Sequence, residues 1–160
     1  MHLFRPTALL FATCSVSLVF SSAMHADEPL TLIGTIVKWR YPDAKIGKSE
    51  ISDGATIAAN EKRTMPSSIL KTTMETPDSV DKVIKFYREL LKRSRKNDEK
   101  LGIAPEEGRS VVFSDESENR PFAFHTIAIH SGKTSTLLIV TRGKDEQRTH
   151  ITWKQYVRHN

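Results

Sequence analysis

The residues best suited to chemistry in this chain are four histidines (His125, His130, His150 and His159), an acidic cluster (Asp115, Glu116 and Glu118) and the tripeptide Gly132-Lys133-Thr134. The tripeptide has the form of the tail of a nucleotide-binding phosphate loop. Such a loop needs a glycine five residues earlier, so that the backbone can aim its N–H groups at phosphate oxygens, and that position is Ile127. It must also open a helix, whereas Thr134–Thr141, "TSTLLIVT", continues with strand chemistry. A glycine-containing hairpin turn accounts for the residues, and no ATP is expected.

Metal binding fails a similar test. On a strand, His125 and His130 are five residues apart and point to opposite faces, so they cannot share an ion. His150 has no cysteine, aspartate or glutamate at ligand spacing. No metal or other cofactor is expected. The serines lie mainly in loops and none stands in a Gly-x-Ser-x-Gly turn. Asp115, Glu116 and Glu118 could supply paired carboxylates for glycoside chemistry, yet neighbouring acids in a polar hairpin also read as a solvated turn. The alternative enzyme reading is a small envelope hydrolase that combines this acidic loop with a histidine. The balance favours no catalytic residue.

Binding chemistry is better represented. Lys82, Lys85, Arg88, Lys92, Arg93, Arg95, Lys96 and Lys100 are interspersed with Asp81, Glu89, Asp98 and Glu99. Lys85, Arg88, Lys92 and Arg93 are the candidates for holding an anionic partner. Phe86 and Tyr87 belong to an apolar face, so the cluster lacks the stacking platform of a nucleic-acid binder. A second candidate surface is a sheet face carrying His150, Lys154 and Tyr156, while Trp153 shares the other face with Ile151 and Val157 and reads as core.

The chain that must position these groups has 160 residues, 38% hydrophobic and 27% charged, the composition of one globular domain. Residues 1–26 read as a secretory signal peptide: Arg5, an apolar stretch from Ala8 to Phe20, then Ser21-Ser22-Ala23 or Met24-His25-Ala26 as the cleavage site. The stretch is shorter than the ~20 residues that cross a bilayer, so no transmembrane anchor remains after cleavage. The protein is expected to be exported, periplasmic or secreted. Cys14 is the only cysteine and leaves with the leader, so the mature chain has no thiol. Residues 27–160 then carry 23 basic against 19 acidic side chains. That excess suits mild attraction to an anionic envelope polymer or to another exported protein.

Leu30–Arg40 fits a strand or a short helix equally. Residues 45–66 read as a long polar loop with a weak strand near 55–58. Ser68–Glu75 reads as a strand, and Pro77–Arg93 as the main helix with Thr76 as its N-cap. Residues 94–102 read as a charged connection. Ser110–Ser114, Phe122–His130, Thr134–Thr141 and Arg148–Val157 then alternate as four strands with short connections, which favours an antiparallel meander. The expected fold is α+β: one main helix packed on a mostly antiparallel sheet of four to five strands, in two layers.

Two segments, "YPDAKIG" and "TPDSVDKVIKFYREL", together resemble a pattern found in small exported bacterial domains of uncharacterised function. In these a Tyr-Pro-x-Ala segment precedes a strand, and a Thr-x-Asp-Ser helix start leads into a Phe-Tyr pair. The matching positions are Tyr41, Pro42, Ala44, Thr76, Asp78, Ser79, Phe86 and Tyr87. A charged run follows the helix where that pattern carries glycine and an aromatic residue. The resemblance implies a two-layer α+β domain and no activity. The leading expectation is a non-catalytic binding or interaction module.

Overall fold

The computed structural model describes residues 31–55, 57–62, 66–103 and 108–159; the expected leader lies outside them. In chain order the elements are α1 (Leu32–Trp39), β1 (Lys45–Asp53), β2 (Ser67–Thr76), α2 (Val80–Leu90), α3 (Arg95–Leu101), β3 (Arg109–Asp115), β4 (Phe122–Ser131), β5 (Thr134–Gly143) and β6 (Thr149–Arg158). The strands form one six-stranded sheet in the order β1-β2-β6-β5-β4-β3, and every neighbouring pair is antiparallel. This corrects the expectation of one main helix on four to five strands: the sheet has a sixth strand, and the helical content is divided among three short helices.

The extra elements are those with the least hydrophobic patterning. β1, "KIGKSEISD", is exposed at all nine positions, so neither face shows the alternation that marks a half-buried strand. Its pairing with β2 forms it instead, from Lys45 opposite Glu75 to Asp53 opposite Ser68. α3, "RKNDEKL", buries only Leu101 and is made by its ends. The Ser94 hydroxyl accepts from Asn97 N–H at 3.1 Å, and Gly102 closes the helix at φ 72°. α1 is capped by Thr31, whose hydroxyl accepts from Gly34 N–H at 3.1 Å, and it buries Ile36 and Trp39.

The main helix is shorter than expected at both ends. Thr76 belongs to β2, paired with Thr149, and its hydroxyl accepts from Asp78 N–H at 3.3 Å. Ser79 takes the cap, accepting from Lys82 N–H. The apolar period stops at Leu90 and Leu91, and Ser94 then starts a new helix. The five other strands lie within two residues of their expected bounds, because their alternation reflects a real inside and outside. Gly132 and Lys133 form the two-residue connection between β4 and β5.

All three helices pack on one face of the sheet. Leu70, Thr72 and Met74 of β2, Ile151, Trp153 and Gln155 of β6, Thr136, Leu138 and Val140 of β5, and Ile127 and Ile129 of β4 are buried there. Val83, Tyr87 and Leu90 of α2 close over them. Gln155 and Thr136 satisfy each other within this layer at 2.9 Å. Trp39 and Trp153 meet with ring centroids 6.4 Å apart, and the Tyr87 hydroxyl donates to the Trp39 carbonyl at 3.0 Å, binding α2 to the end of α1. On the opposite face Lys71, Thr73, Leu137, Lys154 and Val112 are exposed.

The positions that carried the resemblance converge on one corner of this core. Tyr41 and Phe86 stack edge to face at 5.0 Å, as do Phe86 and Tyr87 at 5.1 Å, and Ala44 is fully buried. The Asp78 carbonyl accepts from the Thr149 hydroxyl at 2.6 Å and from Arg142 Nη1 at 3.3 Å, which anchors the start of α2 to β5 and β6. These residues act as a joint between helix and sheet.

Candidate functional site

α2 presents its exposed side chains as a ridge with a groove on each side. The first groove, about 360 Å³, lies between α2 and strands β3 and β4 and is lined by Ile84, Lys85, Arg88, Phe113, Asp115 and His125 among others. The second, about 750 Å³, lies between α2 and the Tyr41–Asp43 turn, over Phe86 and Pro77. Lys85 and Glu89 border both grooves and form the crest.

The structure brings the candidate cations together at α2 and sorts them by what they already bind. Lys82 Nζ lies 2.8 Å from Asp78 Oδ1, Lys92 Nζ 2.7 Å from Glu89 Oε2, and Arg95 Nε 2.9 Å from Glu99 Oε1. Asp98 is engaged by Arg109 of β3 at 3.0 Å, outside the cluster. Lys85, Arg88, Arg93, Lys96 and Lys100 have no ion-pair partner among the described residues, and Asp81 is the only carboxylate of this stretch in the same condition. Arg88 is not loose, however: its guanidinium lies 4.4 Å from the centroid of the Phe113 ring. Of the four candidates, Lys85, Arg88 and Arg93 are therefore available to a partner and Lys92 is already paired.

The acidic loop does not gather its carboxylates. Asp115 Oδ1 accepts from Ser117 N–H at 3.0 Å and lies 3.7 Å from His125 Nδ1, on the helix side of the sheet. Hydrogen bonds from Ser117, hydroxyl and backbone alike, and then the neighbouring His125 hold the Asp115 carboxyl below its usual range. Glu116 turns the other way: Arg120 Nη2 lies 3.7 Å from Oε2, and the Thr126 hydroxyl lies 3.4 Å from Oε1. Glu118 is exposed. No group of three or more metal-ligating side chains occurs among the described residues.

The sheet-face candidates lie on one side of β6 but not at one place. His150 and Tyr156 are six residues apart, about 20 Å along a strand. His150 lies 3.6 Å from Glu75, which comes from the paired strand β2, and 3.7 Å from Glu146, four residues earlier in the β5–β6 turn. Lys154 is exposed, opposite Lys71 on one side and Leu137 on the other. Tyr156 stands opposite Ile69 and Ser135. His130 and Ser135 bond at 2.9 Å, as do His159 and Ser68 at 2.8 Å, so these two histidines serve local contacts.

Sequence reasoning missed Phe113 and Ile84 as parts of the first groove. The signal was present: Val111 and Phe113 alternate toward the helix side, and Ile84 and Arg88 are one helical turn apart. What could not be read was that β3 ends up beside α2. No protein-family model, no curated protein and no solved structure matches this chain.

Proposed function

We propose that this chain is a small exported binding module, without catalytic activity, that holds an anionic partner against the exposed face of α2. The observation that supports this reading is the asymmetry of charge commitment along α2 and α3. The acids there are consumed by Lys82, Lys92, Arg95 and the distant Arg109, while among the described residues Lys85, Arg88, Arg93, Lys96 and Lys100 stay unpaired beside a single free acid, Asp81. Fixed cations facing solvent attract anionic polymers over roughly a Debye length, ~8–10 Å at physiological salt. An envelope polymer is the partner class that fits an exported chain of this charge.

Retention of the purified protein on an anionic polysaccharide column, developed with a salt gradient, tests the reading. The comparison is a variant with Lys85, Arg88, Lys92 and Arg93 changed to Gln. The wild type is expected to elute well above physiological salt and the variant well before it. Early elution of both would leave the cations as a solvated helix face.

A further inference from the structure

The two edges of the sheet are built differently. β1 is blunted in the ways that discourage another strand from pairing with it: its register slips between Ile46 and Ser49, Gly47 and Lys48 lie inside that slip, and Lys45 precedes it. β3, at the other edge, keeps an unbroken register from Arg109 opposite Ser131 to Asp115 opposite His125. Its middle, Ser110-Val111-Val112-Phe113-Ser114, has no charge, proline or glycine, and Val112 is 58% exposed.

The direction of the free backbone groups follows from one bond. Glu116 N–H donates to the Phe124 carbonyl at 2.9 Å. Alternation along an antiparallel pair then turns Ser114, Val112 and Ser110 inward to β4, and turns the N–H and C=O groups of Val111 and Phe113 outward. The same two residues direct their side chains to the helix side, where Phe113 lines the first groove together with Ile84, Lys85 and Arg88. A strand edge that no described residue covers, with a helix alongside, is the arrangement by which extended peptides are bound as an added strand.

We propose that β3 takes up an extended acidic polypeptide segment as an antiparallel seventh strand, with alternate side chains entering the groove along α2. Residues of the segment opposite Val111 and Phe113 share their face and project into the groove. A carboxylate opposite Phe113 meets the unpaired Lys85 and Arg88. Asp81, Glu89 and Asp115 line the same groove; Glu89 is paired with Lys92, and Asp81 and Asp115 repel a second carboxylate placed beside them, which limits where acids fit along the segment. The choice of an acidic segment rests on the anionic-partner reading above; the added strand itself rests on the backbone of β3.

A blocked synthetic peptide of alternating Thr and Glu is the probe, and amide chemical shifts of the labelled protein are the readout. The expected result is perturbation at Val111 and Phe113 together with Lys85 and Arg88. N-methylation of the Glu residues removes the donors that reach β3 and is expected to weaken binding about tenfold or more, as loss of more than one hydrogen bond implies. The same modification at the Thr residues, whose N–H groups point away, is expected to cost little. On the protein side Val111→Pro deletes an outward donor and leaves the β3–β4 ladder intact. It is expected to abolish the β3 perturbation without altering retention on the polysaccharide column. Shifts confined to α2, equal binding of the two methylated peptides, or no peptide binding each overturn the added strand. Column retention alongside any of these results leaves the anionic-partner reading standing. Peptide-induced shifts at β3 that leave Lys85 and Arg88 unmoved, without column retention, overturn that reading instead and keep the strand.

Discussion

The Tyr41 hydroxyl donates a 2.7 Å hydrogen bond to Asp78 Oδ2 across 37 residues of sequence, and Lys82 Nζ donates to the other carboxylate oxygen at 2.8 Å. One carboxylate thus ties the turn before β1 to the start of α2. Burial first, and then the hydrogen bond and charge of Asp78, push the Tyr41 phenol up to about 12. The hydrogen bonds from Lys82 and Tyr41 hold Asp78 below the usual carboxylate range.

Two pH dependences follow. Because the folded state favours the neutral phenol, its contribution is complete below the ordinary tyrosine value of 10.0 and is lost as pH rises toward about 12. For Asp78 the contribution is present above the ordinary aspartate value of 3.8 and is lost as pH falls through the lower folded value. Tyrosinate absorbance followed against pH is expected to show one late-titrating residue in the accessible alkaline range, which moves back toward 10 in Asp78→Asn. An unchanged profile in that variant would sink the assignment.

Among the described residues Arg109 and Asp98 form the most buried ion pair, at 3.0 Å, with side chains 3% and 14% exposed. Arg109 Nη2 also donates to the carbonyls of Leu91 at 3.0 Å and Lys92 at 3.1 Å, closing the end of α2. Asp98→Ala is expected to lose about 3–5 kcal/mol in urea unfolding, since it leaves a guanidinium buried without its charge partner. Arg109→Met combined with Asp98→Leu is expected to recover most of that loss. A double variant as unstable as Asp98→Ala would show that the pair's geometry, rather than the stranded charge, carries the effect.

Gly102 is left-handed at φ 72°, closing α3. Gly102→Ala is expected to lower stability by about 1–2 kcal/mol, the cost of that backbone region to an L residue. Gly102→Asn should lose less, because asparagine tolerates this conformation. Thermal unfolding of the pair ranks them; equal melting temperatures would count against strain at this position.

The exposed cations should contribute little to folding. Lys85, Arg88, Lys92 and Arg93 changed together to Gln are expected to leave the unfolding free energy from urea titration within roughly 1 kcal/mol of wild type, most of the change coming from the Arg88–Phe113 contact. A larger loss would mean that the variant reports on structure and that its column behaviour carries no information about binding.

How much of this was legible in the sequence depended on burial. β2, β4, β5 and β6 each alternate because one side meets the core, so their positions can be read from residues such as Leu138 and Val140 or Ile151 and Trp153. β1 has no buried residue and α3 has one, so pairing and capping form them, and neither leaves a periodic trace. The cations of α2 were visible from spacing alone. Their availability was not, because it depends on Arg109 reaching Asp98 from a strand that lies elsewhere in the sequence.

Trp39 and Trp153 are the only two tryptophans of the chain, and they sit in contact at the meeting of α1 and β6. Their shared environment makes indole emission a built-in gauge of whether the N-terminal helix is seated. Any event that lifts α1 from the sheet, by ligand, truncation or denaturant, brings both fluorophores toward water at once. Its colour change would register that detachment before the strands themselves come apart.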